Sequence, residues 1–485
     1  MAALETATLG LDFGCFSSKM TLAYKRRPTG RPEIIRVPLA ADITHPERLN
    51  APASASSLFE FVASAALEEG RLIPGRLSLD KDESFPLKTI MVHRAISRER
   101  TIKGMPGGRR LLHKIATGQI TADMEDDALC QHFELLREMA TKSEIRKGVS
   151  IETVVLTYPN YLCNGEEEDD FDKYSSYYLG LIRPIWMRHK PFIHFEFVSE
   201  GQAAALYVCE PFSDDLPSID PMAFWKPLIE GQIEHHGLNL VVADAGSSTL
   251  NIQVQSVYFD INYNVLSSQS NVDAVWSSGV QGGSHMSNSE IRDYVRDTLL
   301  AHITQGELAA IMTHFEEVKW RLNYTEPKSL HLMGTTPHIT VHLQPHVIRK
   351  AFTKAFKKGL QTLVKELNNI RRLKRNFGVV LCGGSYCNPG LKQEVAKLMK
   401  KIEICAEAEG VIMRSFFIAD KDTMWSTAVS TGAAIAAMNI PSLTRVLTGS
   451  AIAIQKATRF PAPEMWRGDP FASVLFRQVG HIAES

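Results

Sequence analysis

Two stretches far apart in the chain share one plan: an apolar strand-like run, an aspartate, one residue, a glycine, then small or hydroxylated residues before another strand-like run. The first is Leu9-Gly10-Leu11-Asp12-Phe13-Gly14-Cys15-Phe16-Ser17-Ser18, and the second is Val241-Val242-Ala243-Asp244-Ala245-Gly246-Ser247-Ser248-Thr249. Each predicts a β-hairpin whose tip can approach a phosphate. Glycine gives the backbone room and dihedral freedom, small residues expose N–H groups, and the aspartate can hold a cation through water. One Asp-x-Gly phrase says little, because such turns are common in hairpins. Two of them, each opening a strand-rich half, say much more and predict a duplicated α/β chain.

Further strand-like runs lie at Val154–Thr157 and Val379–Cys382, and Pro345–Arg375 has helical periodicity, with Val347, Ile348, Phe352, Phe356, Leu360, Leu363 and Leu367 on one stripe. Arg371, Arg372, Lys374 and Arg375 close that helix, where cations complement the C-terminal dipole. With 53 basic against 54 acidic side chains, the chain has no charge excess to draw a nucleic acid or an anionic membrane. Its 7 cysteines have no C-x-x-C spacing and read as free thiols of a reducing compartment. No basic region followed by an apolar run opens the chain, and no apolar stretch has bilayer length, so a cytoplasmic protein is expected. The acidic segment Asn164–Asp172 reads as an exposed loop or helix start rather than a metal site, and Leu216–Phe224 as a connection.

The paired hairpins resemble the arrangement with which the actin, hexokinase and heat-shock ATPase superfamily clasps a nucleotide. Four further segments, in order, resemble its 70-kDa heat-shock branch. Val154-Val155-Leu156-Thr157-Tyr158-Pro159-Asn160-Tyr161 is similar to the family's strand ending in Val-Pro-Ala-Tyr, and Phe197–Leu206 to its Asn-Glu-Pro-Thr-Ala-Ala-Ala segment. Val379–Ser385, followed by Pro389, is similar to its adenosine-binding Val-Gly-Gly-Ser…Pro loop, and Ser430–Ile435 to its closing Gly-Ala-Ala helix. Gly279–Gly283 stands where the family has a Leu-Gly-Gly turn, and Phe315–Lys319 where it has a Glu-x-x-Lys adenosine clamp.

The resemblance implies an α/β, actin-like ATPase fold of ribonuclease-H-like duplicated lobes, each a mixed sheet flanked by helices. Lobe I would take residues 1–237 and 424–440, lobe II residues 238–423, and residues 441–485 would form a C-terminal tail. It further implies ATP or ADP with magnesium between the lobes. Asp12 and Asp244 would face the metal and phosphates, with Glu200 and Asp244 serving catalysis. Backbone around Gly14, Cys15, Gly246, Ser247 and Ser248 would cradle phosphate, with Gly282 and Gly283 beside it. Glu316 and Lys319 would grip ribose or adenine, while Gly383, Gly384 and Ser385 let the purine lie against the backbone. Besides the nucleotide, a protein client or co-factor is the implied partner.

The departures are as informative. Cys15 and Phe16 stand where typical members carry threonines, Ser247 and Ser248 where they carry glycines, and Asn251 where they carry a second metal-shell aspartate. Cys387 and Trp320 replace two arginines flanking the adenine. No motif marks the family's catalytic lysine, and neither Lys81 nor Lys88 has a context that selects it. Loss of one charge-stabilising group costs roughly two to three powers of ten in rate. The expected reading is a nucleotide-dependent, chaperone-like or regulatory switch with weak or no ATP hydrolysis, in which an aspartate at position 251 would raise turnover. A catalytically inactive pseudo-ATPase interaction module is the alternative, and a metabolite kinase is less favoured. The stretch after Met438 leaves no room for a conventional peptide-binding domain, so output is expected from a lobe surface or from the tail.

Overall fold

The apolar runs around the first Asp-x-Gly phrase become a hairpin in a computed structural model of the chain. The structure describes residues 5–15, 17–25, 33–38, 61–75, 84–162, 169–209, 227–228, 238–259, 265–270, 277–299, 303–332, 339–418 and 427–439. Phe16, Lys81, residues 164–168, residues 216–224 and the stretch 441–485 lie outside the described residues. No helix among the described residues is long and apolar enough to cross a membrane.

Strands β1 (Glu5–Phe13), β2 (Ser17–Tyr24) and β3 (Glu33–Arg36) form an antiparallel meander, with the short β4 (Phe61–Val62) also on β2. A small sheet follows, of β5 (Ser64–Glu68), β6 (Arg71–Pro74) and β7 (Ser84–Pro86). Then come α1 (Leu87–Ile96), α2 (Glu99–Gly104), α3 (Gly108–Ala116) and α4 (Ala122–Lys147). The chain returns along β8 (Val149–Tyr158), crosses through α5 (Asp170–Met187) and adds β9 (His194–Ser199), which leads directly into α6 (Glu200–Cys209). β1, β8 and β9 run parallel, so the sheet order is β3-β2-β1-β8-β9.

The second half repeats this order. β10 (Leu238–Ala245), β11 (Thr249–Phe259) and β12 (Val265–Ser270) form the meander, with β13 (Ser277–Gln281) also on β11. After α7 (Ser284–Thr298), α8 (Gln305–Val318), the hairpin of β14 (Lys328–His331) and β15 (Thr340–Leu343), and α9 (Pro345–Arg372), the chain returns along β16 (Phe377–Cys382). It crosses through α10 (Pro389–Ala408) to β17 (Met413–Phe417) and ends its described part in α11 (Ala428–Asn439). The order is β12-β11-β10-β16-β17, with β10, β16 and β17 parallel. The chain is therefore mixed α/β, with, among the described residues, two six-stranded mixed sheets flanked by helices.

Each sheet buries one face under its own helices. Leu9, Leu11 and Phe13 join Phe133, Leu136, Tyr178 and Ile182 in one core, and Val241, Ala243, Val379 and Leu381 join Phe352, Leu360, Leu363 and Val395 in the other. The predicted stripe of α9 lies in this second core. The helix stops at Arg372 rather than Arg375, because Lys374 takes a left-handed backbone (φ 56), and Arg371 and Lys374 both pair with Glu409.

The opposite faces are covered crosswise. α6 follows the first sheet yet packs Ala204, Ala205, Tyr207 and Val208 on Leu238, Leu240 and Val242 of the second. α11 follows the second sheet yet packs Ala433 with Val155 and Val198 of the first. The two helices and strands approach so closely because side chains are missing at the contacts. A Cβ on Gly432 would lie 1.7 Å from the Ala203 carbonyl oxygen, and one on Gly10 2.0 Å from that of Ser430. Thr21 meets the Ser430 hydroxyl at 2.9 Å, so the seam is also hydrogen-bonded.

Gly432→Ala is therefore expected to destabilise the fold by about 1–3 kcal/mol or more, as overpacking of a closed contact does. Gly180→Ala, in open space on α5, is expected to be neutral or to stabilise by roughly 0.5–1 kcal/mol through helix propensity. Paired urea unfolding curves check both.

Candidate functional site

The two predicted hairpin tips face one another. In the first, Asp12 near the end of β1 is the cross-strand partner of Lys19, and in the second Asp244 of β10 is the partner of Asn251. The Cys15 thiol of one tip is hydrogen-bonded to the side chain of Ser248 in the other. Burial pushes that thiol up, so it stays protonated. The second tip is closed by its own backbone bond from Gly246 N–H to the Thr249 carbonyl at 2.8 Å. The Gly282-Gly283 turn lies against it. Gly282 donates to the Ser248 carbonyl at 2.8 Å, His285 to that of Ser247 at 2.9 Å, and a Cβ on Gly283 would lie 2.5 Å from Ser247 backbone.

Behind the tips lies a buried cluster of opposite charges and amides. Glu200, the first residue of α6, is 5% exposed. Its Oε1 takes an ion pair from Lys88 of α1, itself 3% exposed, and its Oε2 accepts from Asn251 Nδ2 at 2.8 Å. Asn251 Oδ1 accepts the backbone N–H of Asn160 at 3.4 Å, and Asn160 Oδ1 in turn accepts that of Gly201 at 2.9 Å. Asp12 lies within 3.9 Å of Lys19 Nζ and takes a long bond of 3.5 Å from the Thr157 hydroxyl.

The electrostatics follow from this geometry. Burial works against a charge on Lys88, but the Glu200 carboxylate outweighs it and holds the ammonium above its ordinary range. Burial raises the Asp12 carboxyl, with Lys19 opposing and Glu200 adding to the rise. Burial also pushes Asp244 up to about 7, the charges of Glu200 and Asp12 adding to it, while a side-chain hydrogen bond from Asn251 works the other way.

Lys88 is the member of this cluster that sequence reasoning left unassigned. Its local signal is a single cation inside the otherwise uncharged run Ser84–Val92, at a position 112 residues from its partner. Asn160 carries no local signal at all.

A second region adjoins the hairpin of β10 and β11. Gly383 adopts φ +100, and a Cβ there would lie 2.3 Å from Asp244 Oδ1, so only glycine lets the loop after β16 close on the aspartate. Ser385 donates to the Gly246 carbonyl at 2.6 Å, in a 3-10 turn spanning Gly384–Cys387. The turn after α8 is tied to this loop, since Asn388 Nδ2 donates to the Lys319 carbonyl at 2.6 Å. Lys319 Nζ reaches Glu316 at 2.6 Å and lies 4.6 Å from the centre of the Trp320 ring, while Asn288 donates to the other Glu316 oxygen. Burial lowers nearby His285 to about 3, leaving its imidazole neutral. Glu316 and Lys319 are thus brought beside Gly383–Ser385, each with the other as a partner.

The expected magnesium can be weighed against these partners. Asp12 and Asp244 do share one charged cluster. Yet each carboxylate in it already has a donor: Lys19 for Asp12, Lys88 and Asn251 for Glu200, and Asn251 for Asp244. Among the described residues no group of three or more His, Cys, Asp or Glu side chains is arranged to hold a metal ion. As folded, the donor set fits a directly ligated cation poorly. No protein-family model matches the chain, and no curated protein matches it in sequence.

Two outcomes follow. Lys88→Met strands a buried carboxylate and is expected to cost about 3–5 kcal/mol, while the double variant Lys88→Met/Glu200→Gln recovers much of that loss; chemical denaturation of both checks it. For Asp244, a raised folded pKa means the folded chain binds more protons than the unfolded one between pH 3.8 and about 7. Its burial penalty is therefore absent at low pH, grows as pH rises through that window, and is complete above it. Asp244→Asn is expected to stabilise the chain at pH 8 by on the order of 4 kcal/mol, with the gain shrinking to nothing near pH 4. Melting curves across that range check the sign.

Proposed function

We propose that the chain is a heat-shock-70-like protein with an actin-like ATPase fold, which binds ATP or ADP between two lobes and serves as a chaperone-like or regulatory switch with weak or no hydrolysis. The observation that carries this reading is the meeting of two equivalent hairpins. Two sheets of identical strand order each present an aspartate at the same cross-strand position, and their tips touch at Cys15 and Ser248. A phosphate chain bridging the tips would meet backbone N–H groups from both halves, with Lys88 behind. The base would lie along Gly383–Ser385, beside Glu316 and Lys319. The packing of α11 on the first sheet supports giving residues 424–440 to lobe I.

One glycine adds weight. A Cβ on Gly14 would lie 2.6 Å from the Ser17 carbonyl oxygen, so packing demands glycine there. A Cβ on Gly246 would come no closer than 3.4 Å to Thr249, so packing does not explain that glycine. Room for a ligand at the tip does.

Slow turnover is supported by Glu200. A general base must reach the proton it abstracts with a free lone pair. Both Glu200 oxygens already accept, from Lys88 and from Asn251, in a buried site, so a water has to reach a remaining lone pair beside those two donors. The same observation favours the pseudo-ATPase reading over a fast enzyme. Magnesium has no step here, since the residues fit it poorly.

Thermal unfolding with and without ADP tests the proposal. Nucleotide at about 100 times its Kd is expected to add about 2.7 kcal/mol of stability by mass action. Gly246→Ala is expected to fold as stably as wild type yet lose most of that gain. An absence of any shift at saturating ADP or ATP sinks the proposal.

A further inference from the structure

Asp12 and Asp244 hold equivalent places in the two hairpins, and each is faced across the ladder by a nitrogen donor rather than an acid: Lys19 in the first, Asn251 in the second. Asn251 is completely buried. Its amide nitrogen is 2.8 Å from Glu200 Oε2 and 3.3 Å from the Thr249 hydroxyl, and the same side chain is hydrogen-bonded to Asp244. Its oxygen is held the other way round by the Asn160 N–H. That bond fixes the amide orientation, because a flipped amide would turn an oxygen lone pair on two carboxylates. Asn160 is itself held, since it accepts the N–H of Gly201, where the missing side chain leaves room for its amide.

The nitrogen thus lies against Glu200 and the Thr249 hydroxyl, directly across the ladder from Asp244. A magnesium ion needs near-octahedral oxygen ligands at about 2.0–2.1 Å and gives up its waters reluctantly. To be ligated directly by Glu200 and Asp244, it would have to displace a buried amide whose oxygen is held by the Asn160 N–H. Charge gives it little reason to. Lys88 answers Glu200, Lys19 answers Asp12, and at Asp244 the Lys19 charge and the Asn251 amide both favour the carboxylate.

We propose that the Asn251 amide takes the place of a divalent cation between Glu200 and Asp244, so that the site binds its nucleotide phosphates without magnesium. The cation-free part stands on the protein alone, and the phosphate part rests on the nucleotide reading above. Lys88 and Lys19 supply fixed positive charge near the phosphates where a metal complex would otherwise bring it.

The first experiment uses nucleotide-free protein titrated with Mn2+, with free ion followed by electron paramagnetic resonance. Wild type is expected to take up no stoichiometric ion, and Asn251→Asp, which puts a third carboxylate at the same point, to take up one equivalent. Asn251→Ser guards against failure of that variant to fold: lacking the amide, it is expected to gain thermal stability from magnesium while wild type does not. Wild type binding one Mn2+ that is lost in Asp244→Asn overturns the proposal, as does a folded Asn251→Asp that gains none. The second experiment is calorimetry with ADP in excess chelator and in magnesium. The wild-type Kd is expected to agree within about threefold, and a loss of about tenfold or more in chelator overturns the proposal. If ADP binds in neither condition, the nucleotide reading fails, and the Mn2+ titration alone decides the role of Asn251.

Discussion

Glu200 is a carboxylate carried into the interior at the head of a helix that touches both sheets, and its surroundings supply it with a lysine and an amide as partners. An ion buried without partners costs several kcal/mol. Two segments distant in sequence therefore converge on it, α1 bringing Lys88 and β11 bringing Asn251. The turn after β8 closes the knot, since the Asn160 N–H donates to Asn251 and the Asn160 side chain accepts the N–H of Gly201 in the first turn of α6. The N-terminal end of α6 adds a favourable dipole for a negative group at its first residue. This knot joins the first half of the chain to the second at the level of individual hydrogen bonds, whereas the hydrophobic cores do so only through area.

The crosswise covering of the sheets is the second constraint. With α6 on the second sheet and α11 on the first, neither half buries its inner face without a helix supplied by the other. Close helix and strand approach requires residues without side chains at the contact, which is why Gly10, Gly432 and the alanines around them lie there. A chain built this way holds its two halves by a narrow seam of small residues and hydroxyls, and the hairpin tips meet across the same junction.

The repeat of topology is not a repeat of chemistry. Equivalent aspartates face a lysine in one hairpin and an asparagine in the other, and the difference decides how the negative charge is met. A lysine can give a full positive charge to Asp12 from the surface of the hairpin. A fully buried position could not hold such a cation without its own counter-ion, and there the neutral amide serves two acids at once. Burial, with the charges of Glu200 and Asp12 adding to it, pushes Asp244 up to about 7, near the middle of the physiological range.

Much of the framework is written locally. The apolar runs at Leu9–Phe13, Val154–Thr157, Leu240–Val242 and Val379–Cys382 all lie within strands, since a strand buried on both faces demands an unbroken apolar run, and the α9 stripe lies in the core. The two Asp-x-Gly phrases are hairpins because glycine and small residues close a tip. Other features have no local cause. Lys88 sits in an unremarkable apolar run, and only folding brings it to an acid 112 residues away. Asn251 reads in sequence as an aspartate that is missing, yet in space its amide is a bond donor to two acids. Sequence by itself determined which segments form strands, helices and tips, because those depend on neighbours in the chain. Tertiary structure alone decided which charges are paired and which acid is pushed upward, because burial and electrostatic partners are properties of residues that meet only when the sheets do.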